Sequence, residues 1–83
     1  MVIIERIQCK LSEALTELNI SGYKLSIEAK LRPSTIQDLV HNRMRSVKIS
    51  TLLSIISTLN AIAKDKGLEK EYDVSDIFIY IKM

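Results

Sequence analysis

Six cations fall between residues 22 and 48 of an 83-residue chain: Lys24, Lys30, Arg32, Arg43, Arg45 and Lys48. Only Glu28 and Asp38 oppose them, so this third carries +4 while the whole chain carries +2. The stretches on either side are neutral or faintly acidic. A basic centre on a balanced chain is the footprint of a face for polyanions, the plain alternative being a solvated surface. Arg43 and Arg45 suit phosphate oxygens, Lys48 and Lys24 are further candidates of that kind, and His41 can donate to phosphate. Ser34, Thr35 and Gln37, in the same third, carry side chains that both donate and accept hydrogen bonds.

Other chemistries find no residues to carry them. There is no nucleophile–base pair, no glycine-rich phosphate loop and no metal spacing. Cys9 and His41 are each the single residue of their type, so neither a disulfide within the chain nor a zinc site is expected. The carboxylates are scattered over polar helix faces. The sequence therefore reads as a non-enzyme without a catalytic site, metal or cofactor. With four aromatics, Tyr23, Tyr72, Phe78 and Tyr80, it also lacks the stacking platforms used on single-stranded nucleic acid.

The length fits one domain over residues 1–83, and a chain this small must build its core efficiently. Ile, Leu and Val dominate an apolar fraction of 47%, which excludes disorder. Residues 1–4 are followed at once by Glu5 and Arg6, too soon for a signal peptide. No apolar run approaches the roughly 20 residues of a membrane span. A reducing, cytoplasmic setting without membrane contact is expected.

Helices must position the polar and basic residues. At 100° per residue, Ile4, Ile7, Leu11, Ala14, Leu15 and Leu18 share one stripe, predicting a first helix over 2–18 with Cys9 on the opposite, surface side. Ser21 can cap a second helix of roughly 22–30 that buries Leu25 and Ala29. Leu31-Arg32 then turns the chain, and Pro33 suits the first position of a third helix. That helix buries Ile36, Leu39 and Val40 and turns Ser34, Gln37, Asp38 and His41 outward. A basic loop covers 42–48. Ser50 is placed to cap a fourth helix with a wide stripe of Leu52, Leu53, Ile55, Ile56, Leu59, Ile62 and Ala63, and Gly67 to end it. Asp73 and Asp76 mark another helix start. After it, 77–81 is apolar at every position and reads equally as a short helix, a strand, or one helical turn followed by a strand.

The stretch from Ser21 to Leu59 resembles the helix-turn-helix of the Cro/C1 (XRE-like) family of bacterial and phage regulators. The resemblance rests on Tyr23-Lys24-Leu25, Ala29, Leu31, Ser34-Thr35-Ile36 and Leu39, then on Thr51-Leu52-Leu53-Ser54-Ile55 and Thr58-Leu59-Asn60. Tyr72-Asp73-Val74-Ser75-Asp76-Ile77 resembles the closing segment. The chain departs from the family's usual residues in having Ser26 for alanine, Lys30 for the turn glycine and Gly22 for the glutamine that opens the second helix. A left-handed Lys30 would cost about 1 kcal/mol relative to glycine. Residues 61–71 add about ten positions to compact members, expected to lengthen the fourth helix.

The resemblance implies an all-α bundle of four or five helices, lambda-repressor-like, with its helix-turn-helix at about 21–42 and a short C-terminal strand as one option. It implies a transcriptional regulator, of repressor type, that binds double-stranded DNA with the third helix in the major groove. Ser34, Thr35 and Gln37 would then read base edges, while Arg43, Arg45, His41, Lys48 and Lys24 would hold phosphates. A homodimer is expected because one such module contacts little DNA. The apolar tail at Ile77, Phe78, Ile79 and Ile81, within the segment 73–83, is nominated for that contact, against an account in which it completes the chain's own core. The rival function keeps the fold but binds a regulatory protein partner, as an antitoxin, anti-repressor or adaptor.

Overall fold

The computed structural model describes residues 2–3, 7–44 and 46–80. Ile4 of the expected stripe, Arg45 of the basic loop and Ile81 of the tail lie outside them. The elements run β1 (Val2–Ile3), β2 (Ile7–Cys9), α1 (Leu11–Leu18), α2 (Gly22–Ala29), α3 (Pro33–Val40), β3 (Ser46–Val47), α4 (Ile49–Asp65), α5 (Val74–Ile77) and β4 (Phe78–Tyr80). Among the described residues five helices form the body. Two small antiparallel ladders, β1 with β3 and β2 with β4, fasten the chain ends to it.

The first helix is shorter than its stripe suggested. Leu11, Ala14, Leu15 and Leu18 are buried on α1 as the helical period requires. Residues 7–9 instead form a strand, with Ile7 half-buried, Gln8 exposed and Cys9 buried. Alternation turns Cys9 inward, where it is 4% exposed, opposite to the surface position expected from a helix. Burial raises its thiol pKa, which favours the protonated form.

Ser21 caps α2 as predicted, its Oγ accepting from the Lys24 amide at 3.0 Å. Lys30 closes that helix in the left-handed region at φ 58°, and its neighbour Leu31 donates from its amide to the Ser26 carbonyl at 2.8 Å. A lysine thus holds the backbone position that favours glycine. Ser26 is completely buried, and its hydroxyl is satisfied by the Tyr23 carbonyl at 2.6 Å. Leu25, Ile36 and Leu39 are fully buried and Ala29 nearly so, locking α2 against α3.

Two details of α4 differ from expectation. Ser50 lies within the helix, and Lys48 is the cap residue, without a side-chain cap. Leu53 is 59% exposed, because only Leu52, Ile55, Leu59 and Ala63 turn fully inward. Gly67, at φ 74°, follows the helix end as predicted, and Leu68 donates to the Ala63 carbonyl at 2.9 Å.

An exposed segment from α4 leads to Tyr72, which is buried and pinned. The Asn60 carboxamide accepts from the Tyr72 amide at 2.6 Å and donates to its carbonyl at 3.0 Å. The phenol donates to Glu17 at 2.9 Å. Burial and that bond push the Tyr72 phenol up to about 12. Asp73 and Asp76 then form a reciprocal capping box on α5. Hydrogen bonds from Ser75 hold the Asp73 carboxyl below its usual range.

Beyond this cap, one turn of helix passes into strand β4, the third of the alternatives open in the sequence. Ile77 is fully buried and Phe78 is 8% exposed, both in the main core with α1 and α4. Neither is free to meet a second copy, which corrects their nomination as dimer residues. Once the capping box directs the chain across β2, these side chains complete the chain's own interior. Of the three nominated residues that are described, Ile79 alone is exposed, at 39%.

Candidate nucleic-acid interface

Helix α3 owes its direction to the left-handed turn at Lys30 and to Pro33, which starts it with a preset φ. Its apolar positions Ile36 and Leu39 are spent on the core. The remaining circumference presents Ser34, Gln37 and His41 to solvent, with Thr35 and Asp38 half-exposed.

The three residues expected to read bases divide. Ser34 and Gln37 are fully outward. Thr35 instead lines a shallow groove of about 350 Å³ with Met44, Ser46, Lys48 and Thr51, which puts it beside the start of α4. The first turn of α4 has no side-chain cap, so its free amides and positive dipole end add to the charge of Lys48 there. That groove suits an anionic oxygen better than a base edge.

The end of α3 is held by its own backbone. Asn42 adopts φ 56°, folding the chain so that the Arg43 amide donates to the Asp38 carbonyl at 2.7 Å. The Arg43 side chain follows the same path, with Nε donating to Asp38 Oδ1 at 3.2 Å. Its terminal nitrogens are left for an outside acceptor. Asn42 Oδ1 also accepts from the Cys9 amide at 2.7 Å, tying this corner to β2. His41 caps the helix and makes a 2.8 Å contact from Nδ1 to the Gln37 carbonyl. The carbonyl accepts, so that nitrogen bears the proton. Nε2 is then a donor only in the imidazolium form.

Lys24 stands apart from this cluster. It pairs with Glu28 one turn along α2 at 3.2 Å, which offsets its charge locally. Arg45 lies outside the described residues. Arg32 is the residue that reading by motif passed over. It is the cap residue of α3, exposed and without a side-chain cap bond, directly at the N-terminal end of that helix. The signal was present, because a proline at the first helical position makes its predecessor the cap.

Among the described residues no group of three or more His, Cys, Asp or Glu is placed to hold a metal ion. No described helix is long and apolar enough to cross a membrane. Residues 10–65 match the family of the Cro/C1-type HTH DNA-binding domain, from just before α1 to the end of α4. Nothing matches among curated proteins or solved structures. The match covers well over half of the chain and takes in helices α1 to α4 in order, so the chain belongs to the Cro/C1-type helix-turn-helix DNA-binding family.

Proposed function

We propose that this DNA-binding domain is a sequence-specific transcriptional regulator of the repressor type. It lays α3 in the major groove of double-stranded DNA, with Ser34 and Gln37 at base edges. Arg32, Arg43 and Lys48 take phosphates, joined by Arg45 and by His41 when protonated. Thr35 serves the phosphate groove at α4 and not a base. Lys24 contributes least, because Glu28 already pairs with it.

One observation carries this reading. Arg32, Arg43 and Lys48 are exposed at the two ends of α3 and at the adjoining helix start, while its outward face is polar. Such an arrangement lets backbone contacts set the register and leaves the helix face to discriminate bases. A homodimer on two half-sites fits the limited contact area of one module. With Ile77 and Phe78 committed to the core, the surface that suits a second copy is Ile79 and the open edge of β4.

The test is a gel shift on duplex DNA flanking its own gene, repeated over a salt series. Retention of one sequence over others, with affinity falling steeply with salt, is expected. Gln37→Ala should change the preferred sequence at a cost of about 1–3 kcal/mol for the specific site only. An identical consensus for parent and variant would remove Gln37 from the base-reading set.

A second reading rests on Tyr23 and Ile27 of α2 and on Ile49 and Leu53 of α4, all apolar and more than half exposed. Surfaces of that kind suit a protein partner, as in an antitoxin, anti-repressor or adaptor. Failure to bind any duplex at low salt would favour it.

A further inference from the structure

We infer that Gly22 is a specificity-determining residue, small so that the Gln37 side chain can lie against the first turn of α2 in a fixed pose. The inference rests on the reading of α3 as the base-reading helix. A Cβ placed on Gly22 would lie 3.2 Å from Gln37 Nε2, 3.2 Å from Ile36 Cγ2 and 3.9 Å from Leu15 Cδ1. The first two distances are closer than ordinary van der Waals contact. The backbone at this position does not require glycine, since the positive-φ glycine of the chain is Gly67. Ordinary helix energetics would favour alanine in a helix at such a position. Space for a neighbour is what remains to account for glycine.

The neighbour that faces outward is Gln37. Its side chain is exposed on α3, and no described residue takes up its carboxamide. A free glutamine would lose rotamer freedom on binding a base. Resting against Gly22, this one has that freedom reduced beforehand while its hydrogen-bonding capacity stays unspent. Recognition of adenine requires both amide atoms in the plane of the base. A methyl group at residue 22 would move the amide by a few tenths of an ångström or turn it away. The ligand class is therefore a duplex with an adenine–thymine pair opposite Gln37.

The test is selection from random duplexes, with affinity, salt dependence and thermal unfolding measured for the parent, Gly22→Ala, Gln37→Ala and the double variant. Gly22→Ala should lose preference at the base position that Gln37→Ala loses, lowering the specific-to-non-specific ratio by about tenfold. Non-specific affinity and salt slope should stay, Tm should be equal or higher, and the double variant should match Gln37→Ala. Unchanged preference in Gly22→Ala beside a changed Gln37→Ala overturns the inference alone. A lowered Tm that Gln37→Ala does not relieve also overturns it, by assigning the space to Ile36 packing. Unchanged preference in Gln37→Ala removes the base-reading role on which the inference depends, and the inference with it.

Discussion

A carboxylate on a surface proposed to meet phosphates looks misplaced until its partner is considered. Asp38 accepts from Arg43 through both its carbonyl and its side chain, and Asn42 supplies the left-handed bend that makes both bonds reachable. Both side chains are about half exposed, so the ion pair itself is worth little in water. The backbone bond does most of the positioning. Arg43→Ala should therefore weaken binding to all duplexes alike and lower the log–log salt slope by roughly one, measured by fluorescence anisotropy across a salt series. Asp38→Ala should raise affinity for any duplex, more at low salt than at high, because a charge facing the phosphates is gone. A fall in affinity would instead assign the orientation of Arg43 to the side-chain pair. Lys30 makes a separate point at the same scale. At φ 58° it occupies a region unfavourable to a side chain, so Lys30→Gly should stabilise the fold by about 1 kcal/mol, read as a higher midpoint in chemical unfolding.

Among the elements, the segment after α4 shows how an exposed, irregular stretch is anchored by few bonds. Asn60 satisfies both backbone groups of the buried Tyr72, so Asn60→Ala should strand two polar groups and cost about 1–3 kcal/mol of thermal stability. Tyr72→Phe keeps the ring and should cost less, about 0.5–1.5 kcal/mol, since only the phenol–Glu17 bond is lost. The raised phenol pKa fixes the sign of a pH effect: this contribution is whole below about pH 10 and is lost as pH climbs through about 12. The elements legible in the sequence are those whose evidence is local. Leu25, Ala29, Ile36 and Leu39 repeat at helical offsets, Pro33 and Ser21 mark starts, and Gly67 and Asp73 mark an end and a cap. The strand at residues 7–9 is not legible locally because three positions of alternation are outweighed by an adjoining helical stripe. Their strand partner is at the far end of the chain, where Phe78 meets Cys9. Ser50 lost its capping role because the cap fell to Lys48, two residues earlier. Of the candidate site, the polar face of α3 and the cation at residue 43 could be read locally. The separation of Thr35 from Ser34 and Gln37 needed the position of α4.

At the scale of the whole molecule, the question is whether the C-terminal strand serves the monomer or the assembly. Ile77 and Phe78 serve the monomer. Phe78→Glu should bury an unpaired charge in the core and unfold the chain, as far-ultraviolet circular dichroism would show. Ile79→Glu should leave the monomer folded. If β4 joins a second copy, the same change should shift sedimentation from dimer to monomer and weaken binding to a two-half-site duplex. A folded dimer of unchanged affinity would place the assembly contact elsewhere, or show that one module suffices. Edge strands left open by a two-stranded ladder are ready templates for such pairing, which makes the exposed residue and not the buried pair the informative one.

The ladder between β2 and β4 joins residues 7–9 to residues 78–80, so it closes a loop of roughly 70 residues, whereas the contact between α2 and α3 is local. Folding should accordingly begin in the helical hairpin and finish at the sheet, and native-state opening should run in the reverse order. The Cys9 amide reports on that last step, since it bonds to Asn42 at the end of α3. Its exchange with solvent deuterium should be faster than that of amides in α2 and α3. Duplex DNA that immobilises the end of α3 should slow it, although Cys9 is buried away from the interface. Slower exchange on addition of duplex would mean that DNA binding and closure of the chain ends are thermodynamically linked through one asparagine.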